Sequence, residues 1–431
     1  MRGLLIISFC LAGVTASAQF KNIRLAEEEE GVAPPLDPSI TINHKTPGNI
    51  VAGIAPNRAV YSLDSGRLWN ESILTSPFGV FGNQSVISDA KGDIYFFHRS
   101  DPGGLGQGND AWLDRIVCQK SEDGGKVWSK GASIGNNPPK DQDKQWPAVH
   151  PKKQIIYTAW TQYDTYGSEE KNCQSHILFS MSTNAGNKWD KPVQISQTPG
   201  DCANNDNTAI GAVPAVALDG RIFVAWANQG FIFFDRSYDG GKTWLTNDLG
   251  IAKQSGGWSM AVPGLNHCNG MPVLMVDNSQ SRAHGSLYLV YADQKNGEND
   301  TDIWFIRTTS RGDNWTTPIR INTDGPGKHQ FLPWMAVDQT TGNIYIVYYD
   351  RRAYDNLQTD VYLAYSTDGG NIFKEKKISE TPFVPDDSKS FSKYINIAAH
   401  AGIITPIWNR MDNGKTSVWT AVIKQGELLK K

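Results

Sequence analysis

The sequence predicts an all-β chain folded as a β-propeller of four-stranded antiparallel blades, and three observations predict it. A short phrase, Ser-x-Asp-x-Gly-x-x-Trp, recurs six times, starting at Ser62, Ser121, Ser182, Ser237, Thr308 and Ser366. The copies lie roughly 55 to 70 residues apart, a period that marks one supersecondary unit repeated in an array. Glycine, tryptophan and tyrosine are plentiful and long helical periodicity is absent, as in turn-rich all-β proteins.

Around each phrase the same elements follow in order. A polar loop enters a first strand, such as Trp146-Pro147-Ala148-Val149 or Ala212-Val213-Pro214-Ala215-Val216. A glycine-containing turn leads to an aromatic-rich second strand, as in Ile94-Tyr95-Phe96-Phe97, Ile156 to Trp160, Ile222 to Trp226, Leu287 to Tyr291 and Ile344 to Tyr348. After a long variable loop come a third strand, the repeated phrase as a turn, and a fourth strand such as Thr317 to Ile321, giving an antiparallel meander. One such sheet cannot bury its own faces, and radial stacking of the units gives the propeller. Full units run near 39–75, 82–133, 145–197, 207–252, 268–322 and 330–380. Tyr394 to Ala399, Ile403 to Trp408 and Thr416 to Ile423 add three strands without the phrase, and Phe20 to Leu25 is expected to supply their fourth. Pairing of the N- and C-terminal strands would then close the ring, which favours seven blades, with six as the alternative.

The spelling of the phrase is that of a turn. The Asp side chain can accept bonds from nearby backbone N–H groups, Gly takes positive φ without steric cost, and the Trp can cover the end of the hairpin. Asn184 and Ser310 replace the Asp in the third and fifth copies, and Phe373 replaces the Trp in the sixth. A feature used six times reads as scaffold, since a catalytic set is normally asymmetric and used once.

Composition narrows the function classes. Forty-one Lys and Arg against 44 Asp and Glu, interspersed, give a formal charge of −3 and no footprint for nucleic acid or an anionic membrane. Residues 1–18 read as a secretory signal, with Arg2, the apolar run Leu4 to Val14 and the small-residue site Ala16-Ser17-Ala18. The expected organisation is therefore a signal peptide over 1–18 and a single propeller domain over 19–431, secreted or periplasmic, without membrane insertion and monomeric. Of the remaining cysteines, Cys118, Cys173, Cys202 and Cys268, three pairings are possible. Cys202 and Cys268, both in polar loops entering successive units, are the preferred pair.

The six boxes, with segments such as Tyr349-Asp350-Arg351-Arg352 and Ser366-Thr367-Asp368-Gly369-Gly370, resemble the BNR or Asp-box repeat proteins of the sialidase-like superfamily. Within it the chain resembles secreted, sialidase-type proteins of Bacteroidetes-type bacteria, over nearly all of the mature chain. The resemblance implies a glycan-active propeller. A sialidase would need an arginine triad, a Tyr activated by a Glu, and an Asp acid/base. Arginines stand at Arg99, Arg115, Arg351 and Arg410, but the family's Arg-Ile-Pro type segment ahead of the first box is replaced by Asn22-Ile23-Arg24-Leu25-Ala26.

Strand direction alternates in a meander, so the loops before strand one and after strand two share one face and the boxes occupy the other. Candidate chemistry belongs to the first set of loops. The strand-one entries carry Lys144-Gln145-Trp146, Asp206-Asn207, Asn269, Lys328-His329-Gln330 and Lys393-Tyr394, and the strand-two exits carry His98-Arg99, Tyr163-Asp164, Asp293, Asp350-Arg351-Arg352 and Asn409-Arg410. Arginine forks bind carboxylates or sulfates, aromatics stack on sugars, and carboxylate, His or Tyr can move protons. The expectation is an acidic oligo- or polysaccharide held by Arg351, Arg352, Arg99, Arg410, Trp146 and Gln330, with Asp350, Tyr163 and His329 as catalytic candidates. The leading reading is a sialidase-like glycoside hydrolase; a non-catalytic carbohydrate- or protein-binding propeller and a polysaccharide lyase are the alternatives. No cofactor is expected: the oxygen-rich run Asn296 to Asp302 suggests Ca²⁺ but lacks the ordered spacing of an EF-hand loop.

Overall fold

The computed structural model describes residues 20–109 and 111–430; the expected signal peptide at 1–18 lies outside the described residues. Six four-stranded antiparallel sheets and a seventh closed by the N-terminal strand stack around an axis, so the protein is a seven-bladed propeller. The seventh sheet is built from Asn396–His400, Ile403–Asp412 and Lys415–Thr420, and Ile23–Glu27 pairs antiparallel with the last of these as its outer strand. Ring closure by the two termini thus follows the expectation, with the outer strand set a few residues later than Phe20 to Leu25.

The innermost strands, among them Ser39–Ile42, Phe81–Ser88, Asp141–Val149, Ile210–Val216 and Gln330–Val337, line the axis. Four of them break register near their starts, between Phe81 and Ser85, Asp143 and Trp146, Ile210 and Val213, and Phe331 and Trp334. Each break carries a left-handed residue, respectively Asn83 (φ 49°), Lys144 (φ 56°), Gly211 (φ 76°) and Leu332 (φ 50°). Such bulges bend the strand and re-aim its side chains, here at the face opposite the boxes.

The boxes do more than turn the chain. In the second, Ser121 Oγ donates to Asp123 Oδ1 (2.8 Å), the N–H groups of Lys126 and Val127 donate to the same oxygen, and Trp128 Nε1 donates to the Gly125 carbonyl (3.1 Å). Asn184 and Ser310 supply the accepting oxygen where the Asp is missing. The box aromatic reaches beyond its own hairpin, however: Trp189 packs on Phe97, Trp244 on Phe179, Trp315 on Phe234 and Phe373 on Phe305, each in the preceding blade. The box is therefore a wedge between blades, and its size and turn chemistry are set by that contact.

The disulfide differs from expectation. Cys173 pairs with Cys202, with Cα atoms 5.7 Å apart, while Cys118 and Cys268 are buried thiols. The loop after the second strand of blade 3 runs beside the loop entering blade 4, tied by the Ser175–Gly200 bridge, which brings Cys173 to Cys202. Cys268 is instead drawn into a separate hairpin, Ser259–Met260 with Cys268–Asn269, inserted between blades 4 and 5. Blade 5 accordingly starts at Val273, later than the sequence suggested.

Candidate functional site

On the face opposite the boxes the axis is stoppered by aromatics. Trp146 stands 4.1 Å from Trp334 and 5.0 Å from Tyr394, ring centre to ring centre. Behind this plug a chamber of about 420 Å³ follows the inner strands to His44 and His400 at the box face. Trp146 is thus placed at the centre, buried by its neighbours.

Beside the plug the bulge in the first strand of blade 3 gathers charge. Arg99 Nη1 donates to Asp143 Oδ1 (2.8 Å), as does Asn83 Nδ2 (2.5 Å), and the guanidinium lies over Phe81, 4.5 Å from its centre. Lys144, turned inward by its left-handed backbone, is 3 % exposed, and its ammonium has no hydrogen-bond partner among the described residues. Asp143 Oδ2 and the Tyr163 hydroxyl are likewise buried and unpartnered. Burial pulls the Lys144 pKa down to about 8, helped by the charge of Lys393 and opposed by Asp143 and Asp37. Burial also opposes the charge on Asp143, but Arg99, Lys144 and Lys393 outweigh it and hold that carboxyl below its usual range. His267 is brought down to about 4 by burial and the neighbouring lysines, so it is neutral at pH 7, and burial keeps Tyr163 protonated. Three cations therefore face two carboxylates, a local excess of positive charge.

His267 comes from the inserted hairpin, which lies across this face as a strap. Ser259 N donates to Asp206 of blade 4's entry loop (2.7 Å), Gln294 of blade 5 to the Ala261 carbonyl (3.0 Å), Arg351 of blade 6 to the Pro263 carbonyl (2.6 Å), and Asn269 to the Lys393 carbonyl (2.6 Å). Trp258 fills the space that a side chain at Gly211 would need.

The remaining sequence candidates separate into other environments. Arg351 donates through Nε to Thr359 (3.0 Å) and lies under the strap, beside His329, which shares a 3.0 Å hydrogen bond with Thr301. Burial and the Arg351 charge bring His329 down to about 4. Arg352 points the other way, into a network with Asp350 (2.6 Å), Glu375 (2.5 Å) and the Tyr348 hydroxyl. Burial raises the Asp350 carboxyl to about 6 against the pull of Arg352. Gln330 joins the same network through Asn322, Asp324 and Asp350. Arg410 is occupied by Asp412 and by the Thr381 and Pro382 carbonyls. So Arg99, Tyr163 and Trp146 are brought together; Arg351 and His329 form a second group; Asp350, Arg352, Gln330 and Arg410 carry protein partners. Lys144, Lys393, Asp143 and His267 were missed as site residues, although Lys144 and Lys393 stood in the entry loops that the meander assigned to this face.

Among the described residues no group of three or more His, Cys, Asp or Glu side chains could hold a metal ion. In the oxygen-rich 296–302 loop, Asp302 is taken up by Asn296, Asn322 and Arg320.

No protein-family model matches the chain, and no curated protein does. Solved structures do match. An ulvan lyase, a polysaccharide lyase, superposes with a TM-score of 0.55 at 13% identity, covering 94% of this chain and 96% of the other. The α-L-arabinofuranosidase of Fusarium graminearum gives 0.50 at 12% identity over 95% and 99% of the two chains. The sialidase of Trypanosoma rangeli gives 0.50 at 12% identity over 94% of this chain and 59% of its own. What this chain shares with these proteins at such identities is the fold, a β-propeller.

Proposed function

We propose that the protein is an exported, glycan-active enzyme that takes an anionic saccharide at the Lys144 cluster. The observation that carries this is the buried, unpartnered Lys144 ammonium in a region of excess positive charge. A buried charge without a partner is costly, and an incoming carboxylate or sulfate would relieve that cost with charge-assisted hydrogen bonds. Arg99 and Lys393 would share the anion, Trp146 and Phe81 border the sugar path, and Tyr163 and His267 are the neutral groups available for proton transfer. The fold supports the reading, since propellers of this kind include glycoside hydrolases and a polysaccharide lyase.

Of the reaction classes, β-elimination fits these groups best. Neutral His267 can accept the proton α to a uronate carboxylate, the C–O bond to the leaving sugar breaks as the protonated Tyr163 hydroxyl donates to the departing oxygen, and Lys144 and Arg99 stabilise the charge that develops on the carboxylate. Hydrolysis needs an acid that is protonated at working pH, and Asp143 is held in the opposite direction. The sialidase-like reading rests on Tyr163 lying near Asp143, as a Tyr nucleophile beside a carboxylate. Incubation with sialosides, sulfated saccharides and uronate-containing polysaccharides separates the readings. Reducing ends with new ultraviolet absorbance show elimination, reducing ends without it show hydrolysis, and binding without product shows a non-catalytic module.

A further inference from the structure

The strap raises a question about access. It crosses the face on which the cationic cluster lies and brings His267 to Lys144 on one side and Cys268 to Arg351 on the other. Consecutive residues of an extended strand point in opposite directions, which explains the division. Arg351 is 3 % exposed, and its Nη2 has no partner among the described residues. Its Nη1 is spent on the Pro263 carbonyl of the strap (2.6 Å), a neutral acceptor for a guanidinium. The Asp300 carboxylate, which like Arg351 acts on His329, also keeps one oxygen without a partner among the described residues. The guanidinium remains charged in this setting. Two cations with unsatisfied donors, Lys144 and Arg351, therefore flank one removable segment.

We propose that Arg351 is a second anion-binding residue, masked by the Pro263 carbonyl, and that a saccharide chain carrying more than one anionic group displaces the strap to reach it. This rests on the anionic-saccharide reading of the Lys144 cluster and adds the substrate class: a repeating polyanion rather than a single charged sugar. The exchange replaces an ion–dipole bond by a fork bonded to an anion, the stronger of the two. The strap's polar anchors are single hydrogen bonds to four different blades and its own ladder has only two residue pairs, Ser259–Asn269 and Met260–Cys268, while Met260, Val262 and Cys268 are buried in the core, so displacement must offset the loss of their burial.

Cys268 provides the readout. It is buried where the strap meets Arg351, whereas the other free thiol among the described residues, Cys118, is buried in blade 2 and serves as the internal control. The experiment follows maleimide labelling of each cysteine by peptide mass spectrometry, with and without glucuronate, short oligogalacturonates or chondroitin sulfate oligosaccharides, alongside calorimetric affinities. The expected result is that the oligosaccharides speed Cys268 labelling while Cys118 stays protected and glucuronate leaves both unchanged. Arg351→Gln should weaken oligosaccharide binding about tenfold, roughly 1.4 kcal/mol, and leave glucuronate binding unaltered. Asn269→Ala, which releases another anchor without touching Arg351, should raise basal Cys268 labelling and retain oligosaccharide affinity. Oligosaccharide binding that depends on Lys144 but leaves Cys268 protected and is unaffected by Arg351→Gln overturns the inference while sparing the proposed function. Failure of all three probes to bind overturns both.

Discussion

Lys144 illustrates how a single residue can be poor for stability and useful for binding. Its ammonium is buried with no hydrogen-bond partner, and the nearest carboxylate is already engaged by Arg99 and Asn83. Replacing a poorly compensated buried ion by an apolar side chain of similar length is often stabilising, so Lys144→Met should raise stability at pH 7 by about 1–2 kcal/mol while abolishing anion binding. Denaturant unfolding and calorimetry on the same preparation check both halves. The pH dependence has a definite sign. The folded pKa of about 8 lies below lysine's ordinary value of 10.5, so between these values the unfolded chain binds more protons and this residue's contribution to stability rises with pH. The advantage of Lys144→Met should shrink across that window, and the affinity of the wild type for an anion should fall as pH rises through about 8. Arg352 offers the contrast. Its partner Asp350 is buried and Glu375 partly so, so Arg352→Met leaves two carboxylates uncompensated and should cost about 3–5 kcal/mol, read from the thermal or denaturant midpoint. The pair Arg351-Arg352 reads identically in sequence, yet just past the strand Ile344–Asp350 one side chain turns to the strap while the other folds back on Tyr348, Tyr362 and Glu375 of its own blade.

At the scale of elements, the boxes and the strap mark two kinds of legibility. The box was readable because its Asp, Gly and Trp have local jobs: accepting backbone N–H groups, adopting positive φ, and packing. What sequence could not show is that the packing partner belongs to the preceding blade. Gly241 makes the point: at φ +88°, a Cβ built on it would stand 2.5 Å from Phe179 Cε1. Gly241→Ala should therefore cost about 2–4 kcal/mol, well beyond the usual surface substitution, and lower the melting temperature without altering anion binding at pH 7. The strap was not legible, since Ser255-Gly256-Gly257 and Pro263-Gly264 look like any polar loop entering a blade. Its position depends on contacts with four blades that are distant in sequence. The same holds for Lys144, whose inward direction comes from a bulge at a residue that is neither Gly nor Asn.

The whole molecule is a ring, and its closure is the feature that the repeat count revealed most directly. Six boxes and one unit without a box gave the blade number, and the lack of a fourth strand in the last unit pointed to the N-terminus. The ring depends on Ile23–Glu27 staying paired to Lys415–Thr420. Removing residues 20–27 from the mature chain should expose the edge of the last blade, lower the melting temperature and promote association through the open edge, checked by scanning calorimetry and light scattering. The site belongs to this scale too, because Arg99 from blade 2, Asp143 and Lys144 from blade 3, His267 from the strap and Lys393 at the entry to blade 7 meet only when the ring is closed. No motif can spell such a site, since its members are scattered over nearly 300 residues by the topology of the fold. The most direct test of the central claim is a titration of wild type and Lys144→Met with uronate and sulfated oligosaccharides at pH 7. The account predicts saturable binding to the wild type and its loss in a variant that remains folded and at least as stable. Binding of equal strength by both proteins would contradict it.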